Sequence, residues 1–439
     1  MLITTLNIRN KGYFMKSALG ALFGCALSSA CFATNLNIID YGATPDDHSD
    51  DDSIAINAAI NAARDGDTVI IPEGAFHTRE EIILKSRVNL KGAGYAKSTI
   101  TAVYSSKDND DEHKTLIKGR YLFSVSISGL RLKTIHPEGV NKLISIIDSE
   151  NVSVNESSFH RFEEHAVYFY NTVNGRVANS RFQDATNTID GGHGYGVVYT
   201  SGCNAGRVDN SYFYGPDIRH GVVIQGDKKI NRPSHGITVN SNYFKDTKQD
   251  AIDLHGSGEY DNLVINNTIV GDPNDKALGR GIGVGEDVHG PSGSGNIVKN
   301  NIIRNTLYGI HVLAGSPDVK ISGNKIYNCN RMGIFIEKGQ NVDVRANTIE
   351  GCRWWGIYVE NGDNTTIASG SKTTNEVHGN GWGSSDGWRE KDYGNGGVRV
   401  ESQNSGMNVR NNNFCDNESN GGPNFLFEGQ GTVLNNQCQ

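Results

Sequence analysis

From Ser157 onward a small polar residue, one variable residue and a large apolar residue recur, at Ser157, Ser180, Ser211, Asn242, Asn267, Asn301, Asn324, Asn347 and Asn412. The intervals are 23, 31, 31, 25, 34, 23, 23 and 65 residues, so a basic period near 23 is interrupted by insertions. Each polar site is followed by a second short segment of one form: HAVYF at 165, YGVVY at 195, HGVVI at 220, DAIDL at 250, RGIGV at 280, YGIHV at 308, MGIFI at 332, WGIYV at 355 and GGVRV at 396. Short alternating strands at a fixed period bury their apolar faces only by stacking on copies of themselves, which predicts an all-β parallel β-solenoid. Equivalent side chains then stand in ladders about 4.8 Å apart, with the Asn or Ser column stacked inside and satisfying turn backbone groups. The 53 glycines, 9 prolines and many asparagines of this 439-residue chain fit repeated turns, and 36% hydrophobic residues suit a long thin core.

Before the repeats, DYGATPDDHSDDDSIAINAAINAARDGDTVIIPEG reads as a cap. Asp50 to Ser53 cap a helix whose Ile54, Ala55, Ala58, Ala59 and Ala62 supply an apolar stripe. Such a helix covers unpaired strand edges at the open end of the solenoid, and capping accounts for the Asp run without calcium. Further upstream, MKSALGALFGCALSSACFA resembles a secretory leader read from Met15 and ending near Ala33. The expected organisation is a leader over 1–33, then one domain over 34–439 with its cap at about 36–75, exported and monomeric. No later run is long enough to span a membrane. A formal charge of −8 without Lys/Arg runs excludes a nucleic-acid surface. Export permits disulfides. Cys329 and Cys352 are 23 apart at matching sites in neighbouring coils, as a disulfide or as stacked thiols. Cys415 and Cys438 repeat that spacing near the C-terminal end, and Cys203 is left over.

DYGATPDD, DDDSIAINAAINAA, GDTVIIPEGAF and VNLKGAGYAKSTI together resemble the N-terminal cap and first coils of the right-handed parallel β-helix superfamily of pectate lyases, polygalacturonases and alginate C5-epimerases. The resemblance runs from about Leu36 to the C-terminus and implies that fold, together with action on a polysaccharide; the export signal extends it to lyases of biofilm matrices.

Within QDAIDLHG, alternation sends Ile252 and Leu254 inward and leaves Asp253 and His255 facing out. Across the coils the first outward position carries His165, Tyr195, His220, Asp250, Arg280, Tyr308, Met332 and Trp355, and the middle one Tyr168, Val198, Val223, Asp253, Gly283, His311, Phe335, Tyr358 and Arg399. Ionisable residues concentrate around 220, 250, 280 and 308, where the long insertions also fall. β-Elimination on a uronate needs a cation for the carboxylate, a base for the C5 proton and an acid for the departing oxygen. Arg280 is the neutraliser, His255 or His220 the base, and Tyr308 the proton donor or, if ionised, a base; Asp250 or Asp253 orients the imidazole. Arg219, Lys248, His193 and His311 are expected substrate contacts. Trp355 and Tyr358, with Trp354, Trp382 and Trp388, either stack on sugar rings or pack the sheet. DAIDLHG is similar to the epimerase pattern Tyr-Gly-Phe-Asp-Pro-His, which implies functional roles for Asp253 and His255; Asp250 stands where that pattern has Tyr. QDAIDL and GRGIGVG match the polygalacturonase motifs only in part, with Gln249 in place of an acid and Arg280 in place of a His, which moves the balance from hydrolysis toward elimination.

The expected activity is that of a secreted lyase on an acidic bacterial exopolysaccharide. The rivals are a C5-epimerase, a glycoside hydrolase using Asp250 and Asp253, and a non-catalytic glycan-binding adhesin. No cofactor is required by this chemistry; calcium is an option at Glu286, Asp287 and His289, without the spacing of a calcium loop.

Overall fold

A computed structural model describes residues 33–104, 115–135, 140–186, 194–227, 231–256, 258–273, 279–285, 292–313, 315–367, 374–383, 393–417 and 422–438. These residues form a parallel β-solenoid whose long sheets hold 15, 13 and 12 strands, each strand pairing with its equivalent one coil away. The predicted register holds: Val222, Ile252, Ile282, Ile310, Ile334, Ile357 and Val398 are successive partners along the 13-stranded sheet. All point inward and are fully buried. Identical side chains stack along the axis, as Phe159, Phe182, Phe213 and Phe244 do with ring centroids 4.7, 4.5 and 4.6 Å apart.

The polar column behaves as its chemistry requires. Asn242 donates from Nδ2 to Val208 O at 2.9 Å and to Asn267 Oδ1 at 3.0 Å, while its backbone N–H donates to that same Oδ1 at 3.0 Å. Each amide thereby satisfies turn groups that burial would otherwise strand. Residues just before the column take left-handed backbone, including Asn266 (φ 58°) and Asn300 (φ 56°), where Asn is better tolerated than most residues. The 65-residue interval in the sequence pattern conceals another rung: Asn375 accepts from Asn347 N and donates to Asn412, and Asn436 continues the column.

The helix Asp52–Ala62 caps the solenoid, and its side chains occupy the open strand edges. Asn57 accepts from Ile83 N at 2.8 Å and donates to Glu81 O at 2.9 Å, closing the first strand of the 13-stranded sheet. Asp52 accepts from His77 N at 2.7 Å and Asp51 from Arg79 N at 2.9 Å, closing the first strand of the 12-stranded sheet and its continuation. These bonds turn the helix away from the expected stripe: Ala55, Ile56, Ala59 and Ile60 are buried, whereas Ile54 is 72% exposed and Ala58 and Ala62 face solvent. Cys415 and Cys438 form a disulfide, whereas Cys329 and Cys352 are buried free thiols, as is Cys203. Among the described residues no helix is long and apolar enough to cross a membrane.

Candidate active site

The register places His220, Asp250, Arg280 and Tyr308 at one outward position in four successive coils. Asp253 stands one outward step along, between Val223 and Gly283, with His311 beyond Gly283. Gly283 matters because it lacks a side chain: a Cβ there would lie 2.7 Å from Asp250 Oδ2 and 3.2 Å from Asp253 Oδ1. The two carboxylates lean into that space.

His220, Asp250 and Asp253 are nearly buried, at 4%, 2% and 3% exposure, so their charges need partners. Arg280 supplies one: Nη1 donates to Asp250 Oδ2 at 3.1 Å, and the backbone N–H donates to Oδ1 at 3.3 Å. The Asp250 charge raises the guanidinium pKa against the opposing effect of burial. About a third of the Arg280 side chain, 35%, is left exposed. His220 Nδ1 lies 3.6 Å from Asp253 Oδ2, and Tyr195 packs edge-on against the imidazole.

Burial pushes the Tyr308 phenol up to about 12, against the Arg331 guanidinium, which donates to its oxygen at 2.8 Å. His311 is fully buried and hydrogen-bonded to Glu337 at 2.9 Å. Burial nevertheless lowers its pKa to about 4, so it is neutral near pH 7. This places His311 behind the site instead of in contact with solvent.

Arg219 and Lys248 are half-buried at the start of neighbouring coils, with Arg219 Nε donating to Gln249 Oε1 at 2.8 Å. Trp355 and Tyr358 take the sheet-packing alternative. At 1% and 0% exposure they have no open face for a sugar, and with Tyr308, Met332, Phe335, Trp354 and Tyr393 they form a separate apolar cluster on the outward side of the sheet. Tyr393 closes it: its carbonyl accepts from Trp355 Nε1 at 2.8 Å, and its ring stacks on Trp354 with centroids 5.6 Å apart. Trp382 remains 49% exposed. His193, Trp388, Glu286, Asp287, His289 and the side chain of His255 lie outside the described residues.

Gly283, Arg331 and Glu337 were not singled out as site residues from sequence. The signal for Gly283 was its place between Asp253 and His311 in the outward column. Among the described residues, one cluster has metal-ligand geometry: His220, Asp250 and Asp253 each offer a ligand atom, all within 4.8 Å of one another. A nitrogen and two carboxylates, one already engaged by Arg280, do not match the six to eight oxygens that calcium takes. No calcium-dependent step follows from them.

Parallel coils, a capping helix and a charged outward column define a pectate-lyase-like parallel β-helix. The chain belongs to the rhamnogalacturonase A/epimerase, pectate lyase-like family, whose model matches residues 35–282; a right-handed β-helix model matches residues 220–414. No curated protein matches the sequence. Among solved structures, the surface adhesin PfbA of Streptococcus pneumoniae superposes with a TM-score of 0.60 at 15% identity, covering 87% of this chain and 92% of its own. An exopolygalacturonase from Thermotoga maritima gives 0.58 at 15% identity, covering 86% and 91%. An alginate lyase from Paenibacillus sp. gives 0.52 at 16% identity, covering 66% and 94%. At these identities the likeness is one of fold, and function has to be argued from the site.

Proposed function

We propose that the chain is a secreted polysaccharide lyase that cleaves an acidic, uronate-containing bacterial exopolysaccharide, such as that of a biofilm matrix, by β-elimination. The observation that carries this reading is the part-exposed Arg280 guanidinium beside the buried His220–Asp253 pair. A guanidinium has five N–H donors in a planar fork, and Asp250 anchors one of its corners while the exposed part faces an incoming carboxylate. Neutralising that carboxylate acidifies the C5 proton. Asp253 opposite His220 Nδ1 favours the tautomer that makes Nε2 the basic nitrogen, which takes this proton. Tyr308, at 1% exposure, is covered like Trp355 and is held by Arg331, so the imidazolium formed on His220 returns the proton to the departing oxygen. His255, two residues after Asp253 in the same strand, is the alternative base.

A C5-epimerase shares the first step, and an adhesin shares the surface. Inverting hydrolysis by Asp250 and Asp253 fits less well. Their oxygens lie within 4.8 Å, closer than the about 6.5–9.5 Å at which such pairs seat a water. The test is incubation with polygalacturonate, alginate and matrix exopolysaccharides. Ultraviolet-absorbing unsaturated ends support the lyase. New reducing ends without unsaturation, C5 inversion at constant chain length, or binding alone would each replace it with the corresponding rival. Full activity in folded His220→Ala and Arg280→Ala variants would sink the site assignment.

A further inference from the structure

We propose that the acidic chain runs along the strand-entry edge of the 13-stranded sheet, and that Arg353 with Trp382 forms a distal sugar subsite on that edge; this rests on the acidic-polymer reading above. The residues leading into successive strands bring Arg219, Lys248, Arg280, Arg331 and Arg353 to one side of the solenoid. Backbone bonds fix their order: Gln249 N to Arg219 O, Gly279 N to Lys248 O, Leu307 N to Gly279 O, Arg331 N to Leu307 O and Trp354 N to Arg331 O. A shallow hollow opens on this same edge, between Gln249, Gly279, Arg280 and Thr306.

The alternatives to this path are closed. Beyond Tyr308 the sheet face is filled by Met332, Phe335, Trp355 and Tyr358, none more than 1% exposed. The strand-exit edge of the same coils carries Glu337, Glu360, Glu401 and Glu428, each bonded through its backbone N–H to the preceding coil. Glu337 and Glu401 are buried, but Glu360 and Glu428 face solvent at least in part, Glu428 with Arg399 at 3.3 Å, so this edge presents carboxylates where the entry edge presents cations. A chain leaving Arg280 toward the C-terminal coils therefore keeps to the basic edge.

At the end of that path the structure holds an aromatic surface ready-made. Trp382 donates from Nε1 to Gly351 O at 2.9 Å, which fixes the indole although it is 49% exposed. Gly383 N bonds Arg353 O at 3.0 Å, and a Cβ on Gly383 would lie 2.8 Å from the Arg353 side chain, so the segment needs glycine to lie this close. The guanidinium sits 6.0 Å from the indole centroid. The guanidinium lies over one face of the ring, so a uronate meets the exposed remainder of the indole with its C–H groups and the open N–H groups of the guanidinium with its carboxylate. Three coils separate this pair from Arg280, about 14 Å at the strand spacing, so only longer oligomers span both.

The test uses fluorophore-labelled oligogalacturonates and oligoalginates of graded length, with Kd from anisotropy, and KM and kcat from unsaturated ends. Trp382→Ala and Arg353→Ala are each expected to weaken binding of the longest oligomers about tenfold. The penalty should shrink as the oligomer shortens, with kcat held, and Trp382→Phe should restore most of the loss. Tyr212→Ala, on another sheet, is the control and should change nothing. Wild-type affinity from both variants, or a penalty independent of length, overturns the subsite even if unsaturated ends are formed. Length-dependent loss of binding without unsaturated ends keeps the subsite and removes the elimination chemistry. Absence of wild-type binding to every oligomer overturns both.

Discussion

The coils from His220 to Arg280 and those from Met332 to Trp355 share a register and an inward column of Ile and Val, yet their outward faces have opposite contents. One holds His220, Asp250 and Asp253, charged or polar and almost fully buried; the other holds Met332, Phe335, Trp355 and Tyr358, apolar and equally buried. Burial of apolar rings stabilises, by about 25 cal/mol for each Å² removed from water. Burial of charges does the reverse unless partners compensate. The C-terminal coils therefore use their outward face for stability, and the middle coils hold theirs at a cost that the proposed chemistry would explain. Substitutions that separate activity from stability test this division.

The largest expected effect is on turnover in the middle coils. Arg280→Ala should lower kcat/KM on an acidic polymer by about 10³-fold, the scale for removing a preorganised charge from a developing anion. Circular dichroism should still report the β-solenoid. A variant that keeps its turnover would place the chemistry outside these coils.

Next in size is the mirror result in the C-terminal coils. Trp355→Ala removes a ring that is 1% exposed and leaves the Tyr393 carbonyl without the indole donor. It should cost about 3–5 kcal/mol of stability, read from denaturant unfolding, with turnover per folded molecule close to wild type. Lost turnover at unchanged stability would mean that the aromatic cluster opens to substrate, and the division would fail.

The inward column should respond in both regions alike. Asn324→Ala deprives Asn301 N of its acceptor and Val298 O of a donor, both buried. About 1–3 kcal/mol for each stranded group follows, in unfolding measurements that leave KM unmoved. A loss confined to KM would instead mean that the ladder shapes the groove.

The fold was legible because its determinants are local and repeated. A polar residue, a variable residue and an apolar one return at near-constant spacing, and alternation then fixes which side chains share the outward face with Asp253. The rung at Asn375 obeys the same rule, in Asn-Glu-Val, but insertions of different lengths on either side of it hid the period. What sequence left open depends on contacts distant along the chain. Trp354, Trp355 and Tyr358 read as outward aromatics, which they are; that they are covered depends on Tyr393, brought back over them from a later segment. The helix stripe was misjudged for a similar reason, because hydrogen bonds from Asp52 and Asn57 to strand edges set its rotation. At the site, the pairing of Asp250 with Arg280 follows from the register, whereas the depth at which His311 sits does not.

That depth gives the smallest effect near neutral pH and the sharpest link between the two regions, because His311 touches both. Its ring packs on Tyr308 at 4.9 Å and on Phe335 at 4.6 Å, and its Nε2 faces Glu337. Burial holds the folded-state pKa at about 4, below the roughly 6.5 of an unfolded histidine. Between those values the unfolded chain binds the proton that the folded chain refuses, so stability is present above about pH 6.5 and is lost as pH falls toward 4. His311→Gln keeps a polar side chain of similar reach without the titration. Its stability should therefore be flatter than wild type between pH 6.5 and 4, measured by denaturant midpoints at a series of pH values. Parallel profiles for the two proteins would mean that His311 accepts its proton in place, with Glu337 close enough to keep the imidazolium folded.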